Sequence, residues 1–375
     1  ETYANSAIFR VKMLISGILL VLTSRLVSAK DVVACEYKAK HSSIYPVSHL
    51  DPLLCSHIIF SSMLVNEPTH KAPLQDPRHD ITILTEIAHL RPKNPDIKLL
   101  ISLSGNNDNS RAFKEVLVLQ SRRMILIGSI IDMLTKYDYD GINLDVDIED
   151  PSVKEEFEMF LSELRGAVKD VKFITISPSR RPVEASKTDV STISKFADLL
   201  FIKSYSYHQP EQNMTQLSHP LFGAKIGDGS VNQTVSSWLT SGMPPGRIVL
   251  GIDMIGPIWS LFDIRDNGIG ALGRFAGSSS LPGACLGYRR TMKCRMDSLQ
   301  QGNYCQILDA WLSIEMPLSI KEKAKYIFSR GLGGGMIWNF IYDDHSGICG
   351  MGSTLTQELK DTLKDIESQG FHHQM

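Results

Sequence analysis

Short apolar and β-branched runs alternate with longer amphipathic stretches along most of the chain, beginning at Asp31. Compact runs of this kind are typical of buried strands, whereas apolar residues spaced three and four apart indicate helices. The pattern predicts strands at Val32–Cys35, His57–Ser61, Ile97–Ser102, Gly141–Asp147, Lys172–Ile176, Leu199–Ser204, Ile248–Met254 and Gly335–Phe340.

One helix has a well-marked start in the sequence. Residues 152–155 read Ser-Val-Lys-Glu, which predicts a capping box with Ser152 as N-cap and Glu155 at the third helical position. Pro151 precedes it and disfavours helical geometry for the residue before. Apolar residues then recur at helical spacing, at Phe157, Phe160, Leu161, Leu164 and Val168.

Repeated strand–helix steps without an internal repeat or a long linker favour a parallel sheet. Eight steps suffice to close a (β/α)8 TIM barrel, for which ~250 residues are typical. The alternative, an open doubly wound sheet, requires a glycine-rich phosphate loop after an early strand. The Leu103–Asn106 segment does not supply one. We therefore predict an α/β protein with a (β/α)8 barrel.

The spacing breaks once, between the strand at Ile248 and the last strand at Gly335. This stretch is richer in Gly, Ser and Cys than the rest of the chain. We expect a reduced insertion at about residues 262–308, between the seventh strand and its helix. The barrel is expected to span residues 30–370 and to be followed by a frayed tail at 371–375.

The composition excludes some function classes. The chain has 375 residues, a formal net charge of −2 and 21% charged residues. Binding to nucleic acid or to an anionic membrane surface calls for a basic footprint. Neither kind of partner is therefore expected.

The N-terminal part of the chain predicts export. Residues 13–29 contain a short apolar core followed by Val-Ser-Ala, typical of a secretory signal and its cleavage site. The apolar stretch is shorter than the ~20 residues of a membrane-spanning helix. A buried strand is the alternative interpretation. We expect residues 1–29 to comprise upstream residues and a signal peptide, and the protein to be secreted.

Cysteine usage agrees with an extracellular protein. Six cysteines are an even number, which fits disulfides, and no Cys/His spacing is typical of zinc. Six cysteines allow 15 pairings, and the residues alone do not choose among them. Asn213 and Asn232 begin glycosylation sequons. His372 and His373 are expected to be solvated rather than metal-bound, and no metal or cofactor is predicted.

The chemistry-bearing stretch is residues 138–150. Side chains alternate across a strand, so Asn143, Asp145 and Asp147 share one face and apolar residues share the other. In a barrel the acidic face points inward at the C-terminal mouth, where barrel active sites lie. Carboxylates stacked on a dry face repel one another, which is typical of acid/base chemistry. A solvated strand face and a calcium loop are the weaker alternatives.

Asp140 to Asp147, reading Asp-Gly-Ile-Asn-Leu-Asp-Val-Asp, resembles the Asp-Gly-x-Asp-x-Asp-x-Glu signature of glycoside hydrolase family 18, the chitinases and chitinase-like lectins. Residues 97–105 and 113–139, the segment 311–325 and the strand at 334–338 resemble further blocks of the family in the same order. The resemblance covers most of the chain. It implies a TIM barrel and a disulfide between Cys35 and Cys55.

The resemblance also implies roles for individual residues. In the family, the Glu that ends the signature protonates the glycosidic oxygen, and the acetamido group of the substrate acts as nucleophile. Asp145 matches the Asp that orients and stabilises the oxazolinium-like intermediate. Asp140 matches the first Asp, and Asn143 stands where Asp or Asn is usual. The acid position falls on Asp147, a departure from the family Glu.

Aspartate is one methylene shorter than glutamate, which withdraws the carboxyl group by roughly 1.5 Å. A misplacement of about 1 Å can cost on the order of 100-fold in rate. Glu149 has the right parity to replace Asp147, but it lies about 6.6 Å further along a continued strand. We therefore expect hydrolysis to be severely reduced.

Other family positions have also changed. Where the family has Met-x-Tyr-Asp, Lys203 and Ser206 replace the Met and the Asp, and Tyr205 is retained. Asn106 stands in place of a sugar-stacking Trp. Ser62 stands in place of an aromatic residue.

The resemblance also implies that Trp338 is the retained cleft-floor aromatic near the end of the last strand. Aromatic faces contribute much of the contact with a sugar ring. Trp338, Tyr205, Asn143 and Ser206 are therefore the expected substrate-binding residues. Buried core is the alternative interpretation for the two aromatics.

Three functions remain open at this stage. The first is a non-hydrolytic lectin that binds chitin or N-acetylglucosamine oligosaccharides. The second is a protein-interaction or signalling role with a protein receptor and little sugar binding. The third is a weakly active endo-chitinase that uses Asp147 as general acid. Fold alone does not choose among them, because function depends on the site.

Overall fold

The structure is a computed structural model that describes residues 32–105, 109–146, 151–178, 189–225, 228–286, 288–352 and 354–372. The strands in these ranges are β1 (Val32–Lys38), β2 (His57–Leu64), β3 (Lys98–Gly105), β4 (Gly141–Val146), β5 (Phe173–Pro178), β6 (Leu199–Ile202), β7 (Ile248–Asp253), β8 (Ile255–Leu261), β9 (Gly273–Ser280), β10 (Lys293–Asp297), β11 (Gly302–Ile307), β12 (Ala310–Ser313) and β13 (Gly334–Trp338).

Eight parallel strands close into a barrel in the order β1-β13-β7-β6-β5-β4-β3-β2. Each of the predicted strands corresponds to one of them, so the predicted (β/α)8 barrel is confirmed. β4 ends at Val146 in the described residues, and the predicted end of that strand, Asp147, lies outside them.

The α-helices in the described ranges are α1 (Pro77–Ala88), α2 (Ser110–Val118), α3 (Gln120–Lys136), α4 (Lys154–Val168), α5 (Val190–Phe196), α6 (Val231–Thr240), α7 (Leu281–Cys285), α8 (Pro317–Ser329) and α9 (Leu355–His372). After β1, two 3-10 turns at Ala39–His41 and Val47–His49 take the place of a helix. None of the described helices combines the length and the apolar character needed to cross a membrane.

The predicted capping box of α4 is wrong. A 3-10 turn at Pro151–Val153 comes before the helix, so Ser152 lies inside that turn and Val153 occupies the N-cap position without a side-chain cap. Glu155 is consequently the second helical residue rather than the third. The five apolar residues predicted at helical spacing are all buried against the barrel.

Alternation along the strands produces two cores. Outward residues such as Ile142, Leu144 and Val146 pack with the surrounding helices in the larger core. A smaller cluster fills the inside of the barrel, formed by Val32, Ala34, Ile59, Leu100, Phe201, Tyr205, Val249, Met336 and Trp338. The acidic face of β4 therefore points inward, as its alternation predicts.

The insertion after β7 forms a separate antiparallel sheet in the order β10-β11-β12-β8-β9. It extends beyond the predicted limits of residues 262–308 at both ends. The reason is that β8 and β12, its first and last strands, pair with each other through Trp259 and Trp311.

The disulfide implied between Cys35 and Cys55 is present. The other two, which the sequence left open, join Cys285 to Cys349 and Cys294 to Cys305. At the C-terminus α9 continues to His372, two residues into the tail expected at 371–375. Residues 373–375 and the expected signal region at 1–29 lie outside the described residues.

Candidate active site in the barrel mouth

The inside of the barrel changes from apolar to polar toward the carboxyl ends of the strands. On β3, β4 and β5 the inward residues of this polar half are paired in register, and Ser102, Asn143 and Thr175 form one row. Ser104, Asp145 and Ser177 form the next row toward the mouth. The barrel thus presents its polar side chains where active sites of this fold lie.

Asn143 is fully buried and serves as the hub of that inner row. Its Nδ2 donates to Ser102 Oγ at 3.1 Å, and its Oδ1 accepts from Thr175 Oγ1 at 2.9 Å and from Ser177 Oγ at 3.0 Å. A buried amide that is committed to three hydroxyls is held rigidly. Asn143 therefore lies in the row beneath the mouth, where it holds the three neighbouring hydroxyls in place.

Asp145 lies one inward position further along β4, and its carboxylate forms an ion pair with the ammonium of Lys203. Lys203 follows β6 and is only 7% exposed. The sequence marked Lys203 only as a departure from the family motif. The alternation that turns Phe201 into the barrel also turns Lys203 inward, and this was the signal for its role.

The Lys203 ammonium also lies over the retained tryptophan, 5.0 Å from the centroid of the Trp338 ring. Tyr205 meets the same ring edge-on at a centroid distance of 6.3 Å. Trp338 is 5% exposed and Tyr205 is 8% exposed. A cation over an aromatic face is an attractive contact. Lys203 thus bridges Asp145 on one wall and Trp338 on the other, and covers the aromatic floor.

A second polar network, which the sequence analysis missed, lies on the opposite wall. Asn339, the residue after β13, donates from its backbone N to Glu36 Oε2 at 3.1 Å and from Nδ2 to Asp253 Oδ1 at 2.6 Å. The Asn339 Oδ1 accepts from Lys38 Nζ, which lies 3.8 Å from Glu36. Glu36 and Lys38 follow the inward Ala34 by two and four residues on the same strand. The alternation of side chains along β1 could therefore have indicated that both face into the barrel.

Asp253 is the acid of this network with a perturbed pKa. Burial raises the pKa of its carboxyl to about 6, against the opposing effect of the hydrogen bonds from Asn339 and from the Ile255 backbone. A carboxyl group that titrates near neutral pH therefore lies in the mouth, on the strand next to the one that Lys203 follows.

Asp140, which the signature places among the catalytic residues, does not reach the mouth. Its Oδ2 accepts from Arg91 Nη2 at 2.9 Å and from the backbone N of Leu99 at 2.7 Å. Leu99 is the second residue of β3, and Arg91 lies in the loop that leads into that strand. Asp140 is five residues before Asp145, or about 16 Å away by strand rise. The structure therefore places it at the opposite end of the barrel as a tie between β3 and β4.

The remaining predicted site residues lie in different parts of the chain. Asp147, Glu149 and Asn106 lie outside the described residues. Ser206 is exposed and has a left-handed backbone with φ of 61°, and it follows Tyr205 at the rim. Ser62 lies within β2 and accepts hydrogen bonds from the Gln75 side chain.

The two sequons also differ in their surroundings. Asn213 is exposed in the loop after β6. Asn232 lies in α6 and its Oδ1 accepts from Tyr326 Oη at 2.9 Å. No group of three or more His, Cys, Asp or Glu side chains in the described ranges is arranged to hold a metal ion.

Comparison with known proteins is consistent with this geometry. Residues 33–343 match the family model described as glycosyl hydrolases family 18. Chitotriosidase-1 of Mus musculus is 26% identical over 384 residues, covering 92% of this chain and 81% of that protein. Chitinase-3-like protein 2 of Homo sapiens is also 26% identical and covers 85% and 87%, respectively.

Solved structures share the same architecture. The Group IV chitinase of Ostrinia furnacalis superposes with a TM-score of 0.82 at 23% identity, covering 89% of this chain and all of that one. Human YKL-39, described as a pseudo-chitinase with retained chitooligosaccharide binding properties, gives a TM-score of 0.81 at 23% identity over 89% of this chain and 99% of its own. At this level of identity the likeness establishes the fold.

Proposed function

This chain belongs to glycosyl hydrolase family 18, and from that membership we propose that it is a secreted, non-hydrolytic chitinase-like protein that binds N-acetylglucosamine oligosaccharides in its barrel mouth. The observation that carries the proposal is the ion pair between Lys203 and Asp145.

The ion pair opposes the family reaction in two ways. Asp145 matches the carboxylate that orients the substrate acetamido group, and here that carboxylate is engaged by a buried ammonium. The oxazolinium-like intermediate carries positive charge. A second cation a few ångströms away destabilises it, because like charges interact strongly in a mouth of low dielectric constant.

The acid position adds to this effect. Asp147 replaces the family Glu, and its shorter side chain withdraws the proton donor from the glycosidic oxygen. Both the proton donor and the stabilising carboxylate are therefore altered, and each change alone is of the kind that reduces turnover by orders of magnitude.

Sugar binding is supported by the retained aromatic pair. Trp338 and Tyr205 stand at the floor of the mouth, and the ammonium that covers Trp338 is carried by a flexible side chain. A sugar ring can take the place of the ammonium on the indole face, since both make favourable contact with an aromatic surface. Human YKL-39 combines the same fold with retained oligosaccharide binding.

Export is supported by the covalent structure. Three disulfides join all six cysteines of the chain, and such bonds persist in oxidising compartments. The apolar segment at residues 13–29 has the composition of a secretory signal.

One observation favours a second candidate, a protein-interaction role with little sugar affinity. Trp338 and Tyr205 are both at least nine-tenths buried, and a sugar must first move Lys203 before it can stack. If that displacement costs more than stacking contributes, the mouth is closed to sugars.

The test combines turnover with binding. Release of fluorophore from an N,N′-diacetylchitobioside is measured for wild type, Asp147→Ala and Asp147→Glu, and binding of chitotetraose is measured for wild type and Trp338→Ala. We expect no turnover above background for wild type, and chitotetraose binding that Trp338→Ala weakens about tenfold or more.

Turnover by wild type that Asp147→Ala removes would identify an active chitinase and overturn the proposal. Absence of both turnover and chitotetraose binding would leave the protein-interaction role. Leu299→Ala, which truncates an exposed side chain on the inserted sheet, serves as the matched surface control for binding.

A further inference from the structure

A cavity of about 350 Å³ lies outside the barrel mouth, between the loop that follows β6 and the inserted sheet. This volume is within the range of small-ligand pockets. The cavity shares none of its lining residues with the Lys203 and Asn339 networks described above. It is therefore distinct from the candidate active site in the mouth.

Glutamine amides dominate the rim of this cavity. Gln212 donates from Nε2 to Gln209 Oε1, Gln216 donates from Nε2 to Gln212 Oε1, and the backbone N of Gln209 donates to Gln216 Oε1 at 2.7 Å. The closed ring of hydrogen bonds holds three otherwise flexible side chains in place. Amides that are already ordered lose less conformational entropy when they bind a ligand.

The rim still has hydrogen-bonding capacity. Gln209 Nε2 and the side-chain amide of Gln300 make no hydrogen bond to a described residue. Within the same ranges Asp228 uses one carboxylate oxygen, which accepts from the backbone N of Lys225. Together they offer donors and acceptors from opposite sides of the cavity, since Gln300 belongs to the turn between β10 and β11.

Behind the rim the wall is apolar. The ring of Tyr207 is held by a hydrogen bond between its hydroxyl and Thr234 at 2.6 Å, and Leu217 and Ile269 line the cavity beside it. A fixed aromatic ring with aliphatic neighbours suits the C–H face of a sugar or the methyl group of an acetamido substituent.

The charges of the lining argue against other ligands. No Lys or Arg is among the described residues that line the cavity, and Asp228 contributes a negative charge. Phosphorylated and carboxylated ligands are therefore disfavoured. Amide groups pair well with the hydroxyls and with the amide of an acetylated amino sugar, because both sides can donate and accept.

We propose that this cavity, the glutamine pocket, is a second carbohydrate site that binds a neutral N-acetylhexosamine residue independently of the barrel mouth. The choice of sugar rests on the proposed function, while the pocket itself rests on the geometry above.

The experiment separates the two sites by using Trp338→Ala, which removes the aromatic floor of the barrel mouth, as the starting variant. Equilibrium dialysis with labelled N,N′-diacetylchitobiose compares Trp338→Ala with Trp338→Ala carrying Gln209→Leu and Gln300→Leu. Leucine keeps the volume of glutamine and removes its amide. We expect the leucine pair to weaken binding about tenfold or more, as befits the loss of two hydrogen bonds.

Two controls make the result specific. Gln233→Leu changes an exposed glutamine on α6 that does not line the pocket, and it should leave binding unchanged. Unlabelled glucose, which lacks the acetamido group, should compete at least several-fold less well than N-acetylglucosamine.

The outcomes keep this inference distinct from the proposed function. Absence of chitobiose binding in Trp338→Ala, or equal binding with and without the leucine pair, would overturn the glutamine pocket and leave the mouth proposal untouched. Binding that survives Trp338→Ala unchanged and disappears with the leucine pair would support the pocket and overturn binding in the mouth.

Discussion

The ammonium of Lys203 lies 5.0 Å from the centroid of the Trp338 ring while its other contact is the carboxylate of Asp145. One side chain therefore covers the aromatic floor of the barrel mouth and pairs with the carboxylate that we propose to match the one that stabilises the intermediate in family 18. This double contact and the buried titratable groups of the barrel determine the effects that we expect of substitutions on sugar affinity, stability and hydrolysis.

Replacing Lys203 by Met should expose the indole face. We expect Lys203→Met to bind chitotetraose about tenfold more tightly than wild type, because the sugar no longer has to displace a cation from Trp338. Titration calorimetry checks this. Lys325→Met, an exposed lysine on α8, is the matched control. Equal affinity of the two variants would contradict the role of Lys203 as a cover.

The same substitution should cost stability, because it leaves Asp145 in the mouth without its partner. We expect Lys203→Met to lose about 2–3 kcal/mol of unfolding free energy, less than a fully buried pair would lose. Asp145→Asn added to Lys203→Met should restore much of that loss, since it removes the unpaired charge. Urea unfolding measures both, and failure of the double variant to recover would argue that Lys203 acts through packing alone.

Hydrolysis should return only when the whole catalytic set is rebuilt. Asp147→Glu alone should stay near background, since Lys203 still engages Asp145. The triple variant Asp147→Glu, Lys203→Met and Ser206→Asp should release fluorophore from a chitobioside on the order of 100-fold faster than wild type. If Asp147→Glu alone reaches the rate of the triple variant, the ion pair has no part in silencing the site.

Asp253 should make the protein less stable at neutral pH than at pH 4. Its pKa is raised from 3.8 to about 6, so its contribution to stability is full below 3.8 and is lost as the pH rises through 6. Asp253→Asn keeps the acceptor for Asn339, and it should add up to about 3 kcal/mol above pH 7 and nothing at pH 4. Urea unfolding at both pH values tests this against exposed Asp96→Asn. A gain of equal size at both pH values would refute it.

His57 should act in the opposite direction. Burial lowers its pKa from 6.5 to about 4, so the folded state excludes a proton that the unfolded chain takes up below pH 6.5. Stability is lost as the pH falls from 6.5 to 4, by about 3 kcal/mol for this group. His57→Gln should flatten that part of the stability curve, whereas His89→Gln at an exposed position should not. An unchanged slope in His57→Gln would count against the buried neutral histidine.

Local patterns determined the barrel and the direction of its side chains. Strand periodicity depends only on neighbouring residues, and it correctly turned Asn143 and Asp145 inward and Ile142 and Leu144 outward. The same reasoning did not predict the start of α4 correctly. The 3-10 turn at Pro151–Val153 includes Ser152, so Ser152 does not occupy the N-cap position that the capping box requires.

The contacts on which the proposed function rests join distant parts of the chain. Lys203 meets Asp145 across 58 residues, and Asn339 meets Glu36 across 303. Periodicity reports which way a side chain faces but not which partner it finds there, since the partner depends on the closure of the barrel. The sequence thus determined the family and the fold and led to the prediction that Asp147 stands at the acid position, whereas only the tertiary structure decided that a lysine covers the tryptophan and engages the aspartate.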